Sequence, residues 1–305
     1  MNVVISGGTG FIGQAITNKL TDQGHKVYIL TRKINKKSEN QNVTYVEWLG
    51  ENSIPEENLT DVDAFINLAG ESLNSRWTDS KKELILNSRI EATREVVRII
   101  KALDSKPEVL INASAVGYYG TSYHHVFTED FALSGDDYLS KVVKLWEQEA
   151  SHVQDEVRVV YTRFGMVLDK KEGGLNKMLL PFNLFVGGRL GTGKQWISWV
   201  HIEDVARAVI YSLETRSIQG PVNVTAPEPV IMDEFGKTLA EVIRRPYWAP
   251  VPSTVLEMIL GEMSILVTQG QKVIPKKLES QEFTFNYPKL HTALKDLLQG
   301  SHSHS

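Results

Sequence analysis

The sequence has no cysteine among its 305 residues. That excludes disulfides, cysteine-ligated metals and a thiol nucleophile, and it fits a reducing compartment, so a cytoplasmic location is expected. There is no excess of one charge either: 33 Lys and Arg against 37 Asp and Glu leave a net of −4. Such a balance draws neither nucleic acid nor an anionic membrane surface, and neither is expected as a partner. No long apolar run is present. The stretch from Val255 to Val267 is broken by Glu257 and Glu262 and is too short to span a bilayer. The first residues enter a strand directly and do not read as a signal peptide. Internal repeats and low-complexity linkers are also lacking. What remains is 42% hydrophobic, enough to build one large or two smaller domains.

The strongest positive signal comes at the start. Asn2-Val3-Val4-Ile5-Ser6 reads as a buried strand, and Gly7-Gly8-Thr9-Gly10-Phe11-Ile12-Gly13 follows at once. An amphipathic helix opens next, with Phe11, Ile12, Ala15, Ile16 and Leu20 on one face. Strand, G-x-x-G-x-x-G and helix in that order suit a dinucleotide pyrophosphate. Gly7 permits a tight turn, Gly10 lets the backbone approach phosphate, and Gly13 lets helix and strand pack closely. The helix N-terminus then offers free N–H groups to the anion. Gly7, Thr9, Gly10, Phe11, Ile12 and Gly13 are therefore expected around the cofactor.

A further absence selects between cofactors. The second strand, Val27-Tyr28-Ile29-Leu30, ends in Thr31-Arg32-Lys33 with no acid at its tip. An acid there would hold a ribose 2′-OH and favour NAD. Arg32 and Lys33 suit a 2′-phosphate instead, because a guanidinium can hold phosphate through paired hydrogen bonds. NADP is expected over NAD.

Further strand-like runs lie at 43–48, 62–68, 109–113, 157–162 and 222–224. Helices are expected over 78–103, 138–153 and 202–213, with Leu84, Ile85, Ile90, Val96, Val97 and Ile100 as the apolar stripe of the first. β-branched runs separated by helices predict an α/β fold: a Rossmann-type doubly wound parallel sheet with a smaller, mostly helical C-terminal lobe. Residues 1–168 and 194–226 are assigned to the cofactor domain, and 169–193 and 227–298 to a substrate-side lobe. Residues 299–305 are expected to be a disordered tail, so His302 and His304 are set apart from site reasoning. His201-Ile202-Glu203-Asp204 reads as a strand-to-helix turn, and no metal site is expected.

The glycine loop, Asn67-Leu68-Ala69-Gly70 and Trp199-Val200-His201-Ile202-Glu203-Asp204 together resemble the extended short-chain dehydrogenase/reductase superfamily. Several stretches narrow the likeness to its epimerase-type 39U subfamily, sugar nucleotide epimerase-like proteins with a C-terminal domain of unknown function. They include Arg76-Trp77-Thr78, Ser114-Ala115-Val116-Gly117-Tyr118-Tyr119-Gly120, Trp146-Glu147 and Arg163-Phe164-Gly165-Met166-Val167-Leu168. Gly270-Gln271-Lys272-Val273-Ile274-Pro275-Lys276-Lys277-Leu278 extends the match into the lobe. The resemblance implies NADP binding, with Leu68, Ala69, Gly70 and Gly165 beside the cofactor.

It also implies hydride transfer with a Tyr as acid/base, a Lys four residues later, and a Ser orienting the substrate oxygen. A phenol near pKa 10 is a poor base at neutral pH unless a cation stabilises its anion. The candidates are Ser114, Tyr138 and Lys141. Lys141 follows Tyr138 by three residues, however, and Val142 stands in the fourth position, about 100° round the helix. Arg89 also replaces an Asn common in extended members. Tyr118 and Tyr119 offer alternative phenols, and Arg163 either pairs with an acid or lines the pocket. Two functions follow. One is an NADP-dependent oxidoreductase or epimerase acting on a small hydroxylated or nucleotide-sugar-like substrate. The other is an NADP(H)-binding, redox-responsive module without efficient catalysis. A homodimer is held open.

Overall fold

Val3, Val4 and Ile5 have no solvent exposure because the strand they form is covered on both faces. The structure is a computed structural model that describes residues 1–34, 38–51 and 53–300. His302, His304 and the tail beyond residue 300 lie outside the described residues. The first strand, β1 (Asn2–Ser6), is followed by α1 (Phe11–Asp22), β2 (Lys26–Thr31), β3 (Val43–Glu47) and β4 (Ala64–Asn67). Then come α2 (Asp79–Ala102), β5 (Val109–Ala115), β6 (Val126–Phe127), α3 (Tyr138–Ala150), β7 (Arg158–Phe164) and β8 (Met166–Leu168). Next are α4 (Gly173–Asn183), β9 (Trp196–Ile197), β10 (Trp199–His201), α5 (Ile202–Glu214), β11 (Gly220–Val224) and β12 (Val230–Ile231). The chain ends with α6 (Met232–Val242), α7 (Ser253–Leu260), α8 (Ile265–Thr268), β13 (Lys272–Val273), α9 (Lys276–Ser280) and α10 (Leu290–Gln299).

Seven parallel strands form the main sheet in the order β11-β7-β5-β4-β1-β2-β3. This is the expected doubly wound α/β sheet. Side-chain alternation divides its core in two. Val3, Ile5, Ile29, Ile66 and Ile111 pack with Ile16 and Leu20 of α1 and Val205 and Val209 of α5. Val4, Leu30, Phe65 and Leu110 face Val96 and Ile100 of α2 and Ala150 of α3. Thr78 starts α2 as its N-cap, its hydroxyl accepting from Lys81 N at 3.2 Å, a bond worth about 1 kcal/mol. Leu84, expected in the buried stripe of α2, is instead exposed. The connection reverses direction between β1 and β4, which opens a crevice at the carboxyl ends of those strands.

A third core holds Leu175 of α4, Phe235 and Leu239 of α6, and Leu294 and Leu297 of α10, sealed by Leu168 and Trp199. This is the smaller helical lobe. One part of the segment assigned to it behaves differently. β13 pairs with β6, and Leu278 and Phe283 enter the sheet core beside α5. Asn223 Nδ2 donates to Ile274 O at 3.0 Å, and the amides of Asn286 and Tyr287 donate to Asp204, each at 2.8 Å. Residues 272–287 are thus a strap laid back onto β11, α5 and the core of the main sheet. Gln299, expected in the tail, is the last residue of α10 and donates to Val242 O.

Candidate cofactor cleft and active site

The glycine loop joins the end of β1 to α1. Gly7 has φ +70°, a conformation that L side chains rarely adopt, and a Cβ there would meet Leu68 C at 2.8 Å. The loop therefore touches Leu68 and Ala69 across the crevice, and Leu68 N donates to Ser6 O at 3.0 Å. Gly13 is needed for a different contact than the expected one with the strand: its Cβ would lie 2.4 Å from Gly7 O. At Gly10 a Cβ would meet only Gly7 O, at 3.4 Å, so the space beyond it is open. Gly10 is also the N-cap of α1, without a side-chain cap and without an acid in the first turn. The amides of Phe11, Ile12 and Gly13 thus open an uncapped helix N-terminus, which fits a pyrophosphate and would be filled by a side chain at position 10.

Ser6, Leu30 and Asn67 lie side by side in the sheet. Arg32 and Lys33 therefore follow β2 just past the level of the glycine loop, both exposed. From the lobe, Gly173 at the start of α4 comes within 3.8 Å of the Phe11 ring, measured from its Cβ position. Gly165 lies between β7 and β8, where a Cβ would strike Ser198 O at 2.4 Å. Its missing side chain serves the crossing of the 196–201 segment.

The three candidate catalytic residues do not converge. Ser114 is buried, and its hydroxyl donates to Glu147 Oε1 at 2.5 Å. The Tyr138 hydroxyl donates to Lys82 O at 2.8 Å, with the ring edge-on to Trp77, in a small apolar cluster between α2 and α3. Burial raises the pKa of Tyr138, against the pull of Arg89 and Lys82. Lys141 is exposed, and Val142 is buried against Ile85. Of the alternative phenols, Tyr119 donates to Asn223 Oδ1 at 2.8 Å and is raised by burial. Tyr118 is half-buried, and its hydroxyl donates to no described residue.

Glu147, which the sequence reading did not single out as a site residue, organises this region. Arg163 stands opposite Ser114 and Asn223 in the sheet register. Its Nε and Nη2 each donate to Glu147 at 2.8 Å, and the Tyr118 ring lies 3.5 Å from its guanidinium. Burial opposes the charge, but the Glu147 bonds outweigh it, so the Arg163 pKa is raised. Nη1 is buried without a partner among the described residues. The signal for this network was present: an acid on the α3 stripe of Val142, Val143, Trp146 and Ala150 must be paired to be buried.

His201 caps α5, its Nδ1 accepting from Glu203 N at 3.1 Å, while Nε2 lies 3.3 Å from Asp296 of α10. The ring stacks on Tyr287 of the strap at 3.8 Å. Among the described residues, no group of three or more His, Asp or Glu is placed to hold a metal. None of their helices is long and apolar enough to cross a membrane.

A family model for the NAD dependent epimerase/dehydratase family matches residues 3–225, and one for a domain of unknown function matches 251–297. An epimerase family protein of Bacillus subtilis is 50% identical over 299 residues, 98% of each chain. The crystal structure of human epimerase family protein SDR39U1 with NADPH superposes with a TM-score of 0.88 at 33% identity, covering 98% of this chain and 99% of that one. A nucleoside-diphosphate sugar epimerase from Corynebacterium glutamicum matches at 30% identity and TM-score 0.75, over 98% of this chain but 58% of that one.

Proposed function

The chain belongs to the NAD dependent epimerase/dehydratase family, and from that premise we propose that it is an NADP(H)-dependent oxidoreductase or epimerase-like enzyme of the cytoplasm. Its substrate is a small hydroxylated molecule or a nucleotide-sugar-like one. The observation that carries this reading is the open cradle at Gly10 over the uncapped N-terminus of α1, flanked by Arg32 and Lys33. NADPH in the human relative supports the choice of cofactor. When bound, the nicotinamide supplies or accepts hydride. The protein binds the pyrophosphate through Gly7, Thr9, Gly10, Phe11, Ile12 and Gly13, the adenosine 2′-phosphate through Arg32 and Lys33, and the far side of the cofactor through Leu68-Ala69-Gly70.

A second reading, a redox-responsive NADP(H)-binding module without efficient turnover, draws support from Ser114 and Tyr138. Both hydroxyls already donate to protein acceptors, and the exposed Lys141 donates to neither among the described residues.

Titration of NADPH fluorescence tests the common part of both readings. NADPH is expected to bind more tightly than NADH, and Arg32→Asp to shift that preference toward NADH by more than tenfold. Equal affinity of the unmodified protein for the two cofactors refutes the assignment to NADP. Transfer of deuterium from 4-labelled NADPH to keto-sugar nucleotides or small ketones, or from C-deuterated sugar nucleotides to NADP+, favours the enzyme, and no transfer in either direction favours the module.

A further inference from the structure

Arg89 is a cation that the cleft does not neutralise. It is half-buried on α2, and among the described residues no carboxylate lies within salt-bridge distance of it. Nη1 donates to two carbonyls, Glu71 O at 3.0 Å and Ile85 O at 2.9 Å. Nε and Nη2 donate to no described residue. Glu71, the nearest acid along the loop, gives its carboxylate to Lys81 instead. Burial lowers the Arg89 pKa, which marks the cost of keeping this charge where it is. A guanidinium held half-buried with two donating nitrogens unspent is suited to an incoming acceptor.

Its position says which one. A Cβ on Gly70 would lie 3.0 Å from Arg89 Cγ and 3.1 Å from Cζ, so the side chain runs directly against the loop at the end of β4. On the other side, Ile85, Arg89 and Thr93 form successive turns of α2 that face α3. Ile85 packs in one cluster with Val142, the Arg89 guanidinium carbon is 5.1 Å from the Trp146 ring, and Thr93 accepts from Trp146 Nε1. Arg89 thus stands between the levels of Val142 and Trp146, beside the place where a lysine at position 142 would project. The cation missing from α3 is present on α2.

We propose that Arg89, lying against the Leu68-Ala69-Gly70 loop, is a cofactor-binding residue that donates through Nε and Nη2 to the hydroxyls of the nicotinamide-side ribose. This rests on the NADP(H) reading above.

The test compares NADPH with 2′,5′-ADP, which keeps the 2′-phosphate end and lacks the nicotinamide-side ribose. Arg89→Met is expected to weaken NADPH roughly tenfold to hundredfold, the range for a lost charged hydrogen bond, and to leave 2′,5′-ADP within about twofold. NADPH affinity unchanged in that variant overturns the proposal, and so does an equal loss for both ligands, which would mark a purely structural role. If Arg89→Met does not fold, Arg89→Lys decides. It keeps the charge with fewer donors in a different geometry, and must still weaken NADPH selectively; unchanged NADPH affinity overturns the proposal. An unmodified protein that binds neither ligand refutes the NADP(H) reading and this proposal with it. Binding of both ligands with Arg89 indifferent refutes the proposal alone.

Discussion

Two glycines three residues apart should fail in different ways when given a side chain. At Gly13 a methyl group would sit 2.4 Å from Gly7 O, about 1 Å inside the ordinary contact of 3.4 Å. That carbonyl also accepts from Gly10 N at 3.0 Å, so the whole loop must shift to relieve the overlap. Overpacking of this kind costs about 1–3 kcal/mol, and the better helix propensity of alanine returns about 1 kcal/mol. Because the clash is with backbone rather than a movable side chain, the upper part of that range applies, and Gly13→Ala should lose about 1–2 kcal/mol, lowering Tm by roughly 2–4 °C per kcal/mol for a chain of this size or somewhat smaller. Gly10 has φ −76° and ψ 167°, extended backbone open to any residue, and a Cβ there meets only Gly7 O, at 3.4 Å. Gly10→Val should cost about 1 kcal/mol or less as a poorer N-cap, yet abolish NADPH binding by occupying the pyrophosphate space. Thermal melts and NADPH fluorescence titrations on both variants check the split. The reasoning is refuted if Gly10→Val binds NADPH like the unmodified protein, or if Gly13→Ala melts unchanged.

Tyr138→Phe should lose only the bond to Lys82 O, about 1 kcal/mol in a urea titration, with turnover and cofactor affinity nearly unaltered. A loss of turnover by roughly 10² or more, with a changed alkaline limb of the pH–rate profile, would restore Tyr138 as the acid/base. His201 should make stability fall in mild acid. Burial holds its pKa below the usual 6.5, and its Nδ1 must stay unprotonated to cap α5. The unfolded chain therefore takes up the proton first. The contribution is full above about pH 6.5 and is lost as pH falls through the lower folded value. His201→Asn, which keeps a capping oxygen, should shrink the difference between urea midpoints at pH 7.5 and 5.5; an undiminished difference rules His201 out as its source.

The sheet was legible in the sequence because its strands are near-continuous apolar runs, and the cradle because three glycines at fixed spacing have few other uses. The direction of Ser114 was not. It shares strand parity with Asn112, so it projects toward α3, where Glu147 receives it. Spacing along a strand places a residue at the sheet edge without saying which face the next helix covers. The strap escaped for another reason. A two-residue strand and a five-residue helix carry too little periodicity to declare a partner, and the residues that fix them, Asn223 and Asp204, lie far away in the chain. Leu84 was misplaced because the contact with α3 takes only part of the apolar surface of α2.

The strap carries a consequence for how the chain reaches its native state. Leu278 and Phe283 fill the sheet core beside α5, and Asp204 near the start of that helix receives amides from residues 286 and 287. During synthesis the residues of the first 226 positions emerge well before these partners exist. Until then, the surface that Leu278 and Phe283 will cover stays open to water, and the Asp204 carboxylate lacks two of its donors. Completion of the sheet core beside α5 thus depends on contacts separated by about eighty residues, the kind of long-range pairing that slows folding. Docking of this strap, rather than formation of the sheet alone, completes the core beside α5.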